Sequence, residues 1–162
     1  MKKVIKSLIA LSLIVLLVGC GEKKETKEEI KEKTYKCTLT SNDIVNGFKV
    51  ESVYEIYATE DVVKKVKTEE KVTSDDETIL DTFENTLNTT YEAADKNYGG
   101  YDYSVTRNDN EVLSITTIDY TKMNLKQYIK DNSALSQYVN DNNELTAEGI
   151  KSLYTSMGAT CD

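Results

Sequence analysis

The segment Phe48-Lys49-Val50-Glu51-Ser52-Val53-Tyr54-Glu55-Ile56-Tyr57-Ala58 alternates in polarity. Phe48, Val50, Ser52, Tyr54, Ile56 and Ala58 fall on one side, and Lys49, Glu51 and Glu55 on the other. A period of two is wrong for a helix and predicts a half-buried strand. Val62 to Val72 repeats the pattern, with Lys65, Lys67, Glu69 and Lys71 opposite Val62, Val66 and Val72. Thr59-Glu60-Asp61 between the two is short enough for a hairpin. Strands joined this way run antiparallel, and a sheet with one apolar face must have that face covered. Tyr35 to Thr40 predicts a preceding strand, connected through the polar loop Ser41 to Gly47.

The cover is legible too. Ser74-Asp75-Asp76-Glu77 has the form of a capping box with Ser74 as the cap. Ile79, Leu80, Phe83, Leu87, Tyr91 and Ala94 follow at spacings of three and four, one apolar stripe on a long helix. Gly99-Gly100 stops it. Tyr101 to Thr106 and Glu111 to Tyr120 predict a second hairpin around Asn108-Asp109-Asn110. Met123 to Lys130 predicts a short helix, and Ser133 to Glu144 has no assignable pattern. Thr146 is a good N-cap, with Leu145 and Ile150 placed as a hydrophobic staple. Ile150, Leu153, Tyr154 and Met157 then form a stripe that Gly158 ends. The sum is an α+β domain: an antiparallel sheet of about five strands packed on one long helix and one or two shorter ones, a two-layer sandwich.

The N-terminus carries an address. Met1-Lys2-Lys3-Val4-Ile5-Lys6 is basic, and Ser7 to Val18 is almost wholly apolar. These are the parts of a secretory signal. The uncharged stretch from Ser7 to Gly19 would span about 20 Å as a helix, short of the ~30 Å hydrocarbon core of a bilayer. The run ends Leu17-Val18-Gly19-Cys20, which has the form of a bacterial lipobox. A thiol is the nucleophile that takes a diacylglyceryl group, and a small neighbour lets the peptidase reach the bond to be cut. Two acyl chains anchor stably where one is marginal. Three segments follow: a lipoprotein signal peptide (1–19), a lipidated Cys20 with a charged tether (20–34), and a single extracytoplasmic domain (35–162). Gly21 to Lys33 is nearly all charge and buries no face.

Charge and composition narrow the function. The chain has 20 basic and 28 acidic residues, a net charge of −8. Without Lys2, Lys3 and Lys6 the balance is 17 against 28, or −11. Such a chain repels phosphate backbones, so nucleic acid is not an expected partner. It also repels anionic headgroups, so membrane attachment is expected through the lipid on Cys20 and not through charge. There is no His. Triads and dyads that use an imidazole, and His-ligated zinc, are therefore excluded within this chain. Asp95 to Thr106 fails as a calcium loop because Thr106 stands where a bidentate Glu is needed. No Gly-x-Ser-x-Gly or Ser-x-x-Lys setting marks a nucleophile. No catalytic, metal or cofactor site is expected.

With Cys20 spent on lipid, Cys37 and Cys161 remain. An exported domain meets oxidising conditions more often than a cytosolic one, which predicts a Cys37–Cys161 disulfide tying the domain's two ends. The alternative is a pair of free thiols, and no Cys-x-x-Cys spacing supports a redox pair. Tyrosine is the one enrichment, 11 residues against 2 Phe and no Trp. Tyr57, Tyr101 and Tyr103 are candidates for an exposed stacking platform, and packing against the sheet is the competing explanation.

The lipobox, the tether, Tyr35-Lys36-Cys37-Thr38, Thr73-Ser74-Asp75-Asp76-Glu77 and the closing Gly149 to Ala159 together resemble the YehR-like bacterial lipoproteins. The resemblance implies an α+β domain displayed on a membrane and brings no catalytic or ligand residues with it. The expected role is a non-catalytic binding module of the cell envelope, lipid-anchored on the extracytoplasmic face of the cell membrane. The alternative is an acidic inhibitor or accessory subunit that docks on a basic envelope enzyme.

Overall fold

The computed structural model describes residues 31–162; the predicted signal peptide, Cys20 and most of the predicted tether lie outside the described residues. The elements are β1 (Glu32–Asp43), β2 (Phe48–Thr59), β3 (Val62–Ser74), α1 (Glu77–Tyr98), β4 (Tyr101–Asn108), β5 (Glu111–Asp119), α2 (Leu125–Asp131), a 3-10 turn (Ser133–Tyr138), α3 (Ala147–Ser156) and β6 (Thr160–Cys161). All strand pairs are antiparallel, in the order β4-β5-β3-β2-β1-β6. The helices cover one face, so the fold is the expected two-layer α+β sandwich, with a sixth, two-residue strand that pattern alone is too short to show.

The hydrophobic period places the faces. Ser52, Tyr54, Ile56 and Ala58 of β2 are buried, and the intervening residues are half-buried. Tyr54, Ile56, Ala58 and Val66 form one core cluster with Leu145, Ala147 and Ile150 around the start of α3. Val72 and Val112 meet Leu80 on α1 in a second cluster, bordered by Phe48, Val50, Phe83 and Leu87. The predicted staple is in place, since Leu145 and Ile150 share the first cluster. Thr146 caps α3 by accepting from the Gly149 N–H at 3.0 Å.

Three local readings are corrected by the structure, and one unassigned stretch takes a form. Strand β1 runs Glu32–Asp43, longer at both ends than the predicted Tyr35 to Thr40, and at its start Glu32, Lys33 and Thr34 pair with Thr59, Ala58 and Tyr57. A neighbouring strand templates backbone bonds whatever the side-chain polarity. In β3 it is Val63, not Val62, that faces the core. The register skips a residue between Tyr57/Lys65 and Ala58/Val63, so a bulge inverts the alternation at this end. The N-cap of α1 is Asp76, whose carboxylate accepts from the Thr78 N–H at 2.8 Å. Ser74 is instead buried, donating to the Gly47 carbonyl at 2.7 Å and accepting from the Asp76 N–H at 3.1 Å. The unassigned stretch after Ser133 forms the 3-10 turn and a Val139–Leu145 bridge.

Candidate functional site

Tyr57, Tyr101 and Tyr103 do not share a surface. Tyr57 alternates with the buried Ile56 and Ala58, which puts it on the uncovered outer face. There its hydroxyl donates to Glu55 at 2.8 Å, and the Lys65 ammonium stands 4.1 Å from its ring centroid. Tyr103 lies opposite the buried Thr116, on the inner face, with its ring 5.4 Å from that of Tyr91 on α1. Tyr101 is on the same side as Tyr103, and burial followed by the neighbouring Tyr128 pushes its phenol far up. The thickness of the sheet therefore separates Tyr57 from the other two.

Most of the tyrosine enrichment is packing between the sheet and the helices. Tyr54 stacks on Tyr154 of α3 at 4.1 Å, and Tyr98 meets Tyr128 edge-on at 5.1 Å. Burial raises the phenols of Tyr54, Tyr120 and Tyr154 above their ordinary value. A large ring with a polar tip suits a layer in which apolar clusters alternate with buried hydroxyls.

Two inward residues carry charge: Arg107, opposite the buried Val112 and 3.7 Å from Asp81 of α1, and Glu70. Glu70 shares the inner side of β3 with Val66 and Val72, opposite Ser52 on one neighbour and Ser114 on the other. The Ser52 hydroxyl donates to its carboxylate at 3.3 Å. With Thr68 and Thr116 it makes a polar band between the two apolar clusters. The hydroxyls of Ser114 and Thr116 are buried without a hydrogen-bond partner. Burial pushes the Glu70 carboxyl up, and the Ser52 bond offsets part of that. The sign follows. The unfolded chain releases this proton at lower pH than the folded one, so folding is favoured as pH falls from the raised folded value toward the ordinary 4.5. Glu70→Gln is expected to stabilise the domain at neutral pH, with the gain shrinking as pH approaches 4.5. Urea unfolding of both proteins across that window measures it, and a gain independent of pH would rule out the carboxylate as its source.

The arrangement most suited to meeting another molecule lies at one end of the sheet, in the β1–β2 turn. Ile44 and Val45 are 82% and 95% exposed. They are presented on a braced turn. Asp43 accepts from the Asn46 N–H at 3.0 Å and from its side-chain amide at 2.7 Å, and the Gly47 N–H donates to the Asp43 carbonyl at 2.8 Å. Those Asn46 bonds, the side-chain one foremost, hold the Asp43 carboxyl below its ordinary value. The Ser74 bond to Gly47 then ties the turn to the start of α1. Shallow depressions flank it, lined by Ile44, Phe48 and Asp75 on one side and by Val45, Asp76 and Glu77 on the other.

The charge at this end is one-sided. Asp75, Asp76 and Glu77 are exposed beside the turn, and Asp109 is exposed in the neighbouring β4–β5 turn. The cations nearby lie against other acids, although one guanidinium nitrogen of Arg107 is buried without a hydrogen-bond partner. Lys49 and Lys71 lie 2.8 and 3.2 Å from Glu51, and Arg107 lies 3.7 Å from Asp81. The signal for this site was present in the sequence, as an aliphatic pair inside a loop read only as polar.

On the β1–β6 edge of the sheet Cys37 and Cys161 are bonded. Next to the bond, the Lys36 N–H donates to the Asp162 carboxylate at 2.7 Å, and the Asp162 N–H donates to the Lys36 carbonyl at 3.1 Å. Among the described residues no group of three or more His, Cys, Asp or Glu is arranged to hold a metal ion. No described helix is long and apolar enough to cross a membrane.

No family model and no curated protein sequence matches this chain. Solved structures do. The NMR structure of the Escherichia coli YehR protein matches with a TM-score of 0.54 at 20% identity, covering 82% of this chain and 92% of that one. The NMR structure of a protein from Streptococcus pneumoniae TIGR4 matches with a TM-score of 0.49 at 16% identity, covering 88% and 92%. At the level of backbone architecture, the six-stranded sheet and its one-sided helical cover are a YehR-like fold.

Proposed function

We propose that this chain is a lipoprotein of the YehR-like kind, anchored through a diacylglyceryl Cys20 on the extracytoplasmic face of a membrane, and that it acts as a non-catalytic binding module of the cell envelope. The observation that carries the reading is the placement of the exposed Ile44–Val45 turn. The tether joins β1 at Glu32, and the turn follows Asp43 at the strand's far end. Twelve strand residues separate the two by about 37 Å at ~3.4 Å per residue. An anchored domain with this geometry can hold its apolar turn away from the bilayer and toward a partner. The Cys37–Cys161 bond agrees with an exported setting.

The anchor has a direct test. The wild-type chain is expected to partition into a detergent phase and to carry a lipid-modified Cys20 as its first residue by mass analysis. C20S is expected to stay in the aqueous phase or to retain residues 1–19. An unmodified Cys20 in the wild type, with residues 1–19 attached, would remove this reading. A second reading, an acidic inhibitor or accessory subunit for a basic envelope enzyme, is favoured by the acids beside the same turn, which make no ion pair among the described residues. It is marked by partner capture that weakens steeply with salt.

A further inference from the structure

We infer that the braced β1–β2 turn and the start of α1 form a docking surface for a basic protein segment that carries aliphatic side chains, with Ile44 and Val45 as the apolar contacts and Asp43, Asp75, Asp76 and Glu77 as the charge-complementary rim. The inference rests on the binding-module reading, and names the surface and the class of partner within it.

Three features make the commitment to this occupant. First, the two aliphatic side chains face water on a turn fixed by side-chain and backbone bonds from Asp43, Asn46, Gly47 and Ser74. A surface already ordered loses little freedom on binding. Second, the rim acids have no ion pair among the described residues, whereas Lys49 and Lys71 share Glu51 and Arg107 faces Asp81. Asp76 is used as a helix cap, and acids there also suit the positive end of the helix dipole. Asp75 and Glu77, which accept no hydrogen bond from another described residue, keep their full capacity for a cation. Third, the same acids oppose the two competing occupants. An anionic lipid surface is repelled, and a second copy of this turn would set like charges against each other. An apolar centre inside a charged rim is the anatomy of an interface in which the centre supplies affinity and the rim supplies selectivity.

The test uses the full lipidated chain in phosphatidylcholine nanodiscs and a labelled peptide, Lys-Lys-Leu-Val-Lys-Lys, beside versions with Glu for Lys or Ser for Leu and Val. Anisotropy is expected to show binding of the first peptide only. The affinity should fall about tenfold or more in I44S/V45S and in D75N/E77Q. It should be unchanged in D102N/D141N, which removes exposed acids elsewhere. Raising ionic strength from about 0.01 to 1 M shortens screening from about 30 to 3 Å and should weaken binding in the wild type more than in D75N/E77Q. None of these side chains is in the core, so the variants fold, and an unchanged unfolding midpoint confirms it. The inference is overturned if the first peptide does not bind, if the Glu peptide binds as well, or if the variants bind like the wild type. It is also overturned if I44S/V45S instead abolishes sedimentation of C20S with phosphatidylglycerol vesicles, or abolishes self-association of the wild type. An unlipidated Cys20 would end the anchored reading and leave the peptide result standing, so the two can fail separately.

Discussion

Reducing the Cys37–Cys161 bond, or replacing both residues in C37A/C161A, is expected to lower the unfolding free energy by about 2–5 kcal/mol. The bond spans 124 positions, nearly the whole described domain. Chain entropy alone gives roughly 4–5 kcal/mol for a loop that long, before native-state strain. A domain of this size is stable by only about 5–15 kcal/mol in total, so the loss is a large fraction. The bond also replaces other fastening. Strand β6 pairs with β1 at only two positions, Cys37–Cys161 and Thr38–Thr160. Without the covalent link, the C-terminal strap is held chiefly by those rungs, the Asp162–Lys36 bonds and the packing of Ala159. Urea unfolding with and without reductant measures the effect. Reduced wild type should unfold near C37A/C161A, and it is the cleaner comparison because its thiols still occupy their places, that of Cys37 fully buried. Identical midpoints for oxidised and reduced wild type would contradict the role assigned to the bond.

Ile56→Ala is expected to cost about 2–5 kcal/mol, while Ile44→Ala should change stability by no more than about 0.5 kcal/mol. The chemistry of the two substitutions is the same and the surroundings differ. Ile56 is 0% exposed, lies between Tyr35 and Val66 in the sheet, and belongs to the cluster with Leu145 and Ile150. Removing its outer carbons leaves a cavity that two paired strands cannot collapse, which adds to the lost transfer energy. Ile44 is 82% exposed and is absent from both clusters. Midpoints in urea, compared at equal slope, separate the two. A cost for Ile44→Ala as large as for Ile56→Ala would mean that the turn is packed and does not face solvent, and the docking surface would go with it.

These two isoleucines also show how far the sequence can be read. Ile56 sits in an unbroken alternation, and its burial follows from counting. Ile44 sits in a loop, where no period assigns a direction, so its exposure had to be observed. Glu70 lies between them in legibility. Its even position in β3, with Val66 and Val72, already assigns it to the inner face, but an acid there contradicts the usual polarity rule and is overlooked when faces are sorted by residue type. Val63 is the opposite case. The bulge beside it changes parity through backbone geometry, and no side chain announces that. The two cysteines were legible as a pair because the predicted lipidation set Cys20 aside and the predicted compartment favoured oxidation. The tyrosines were not, since a ring that stacks on a partner and a ring that packs under a helix have the same composition.

Periodicity, caps and the cysteine count were sufficient for the class of fold, the two hairpins, the long helix and the residues at the centre of the core. Each of these depends on neighbours a few positions apart along the chain, so one dimension holds the information. The polar band at Glu70, the splitting of Tyr57 from Tyr101 and Tyr103, and the meeting of the Ile44–Val45 turn with the acids of α1 were decided only in three dimensions. Each depends on which strands lie side by side and in what register, and that is settled by the cooperative packing of distant segments.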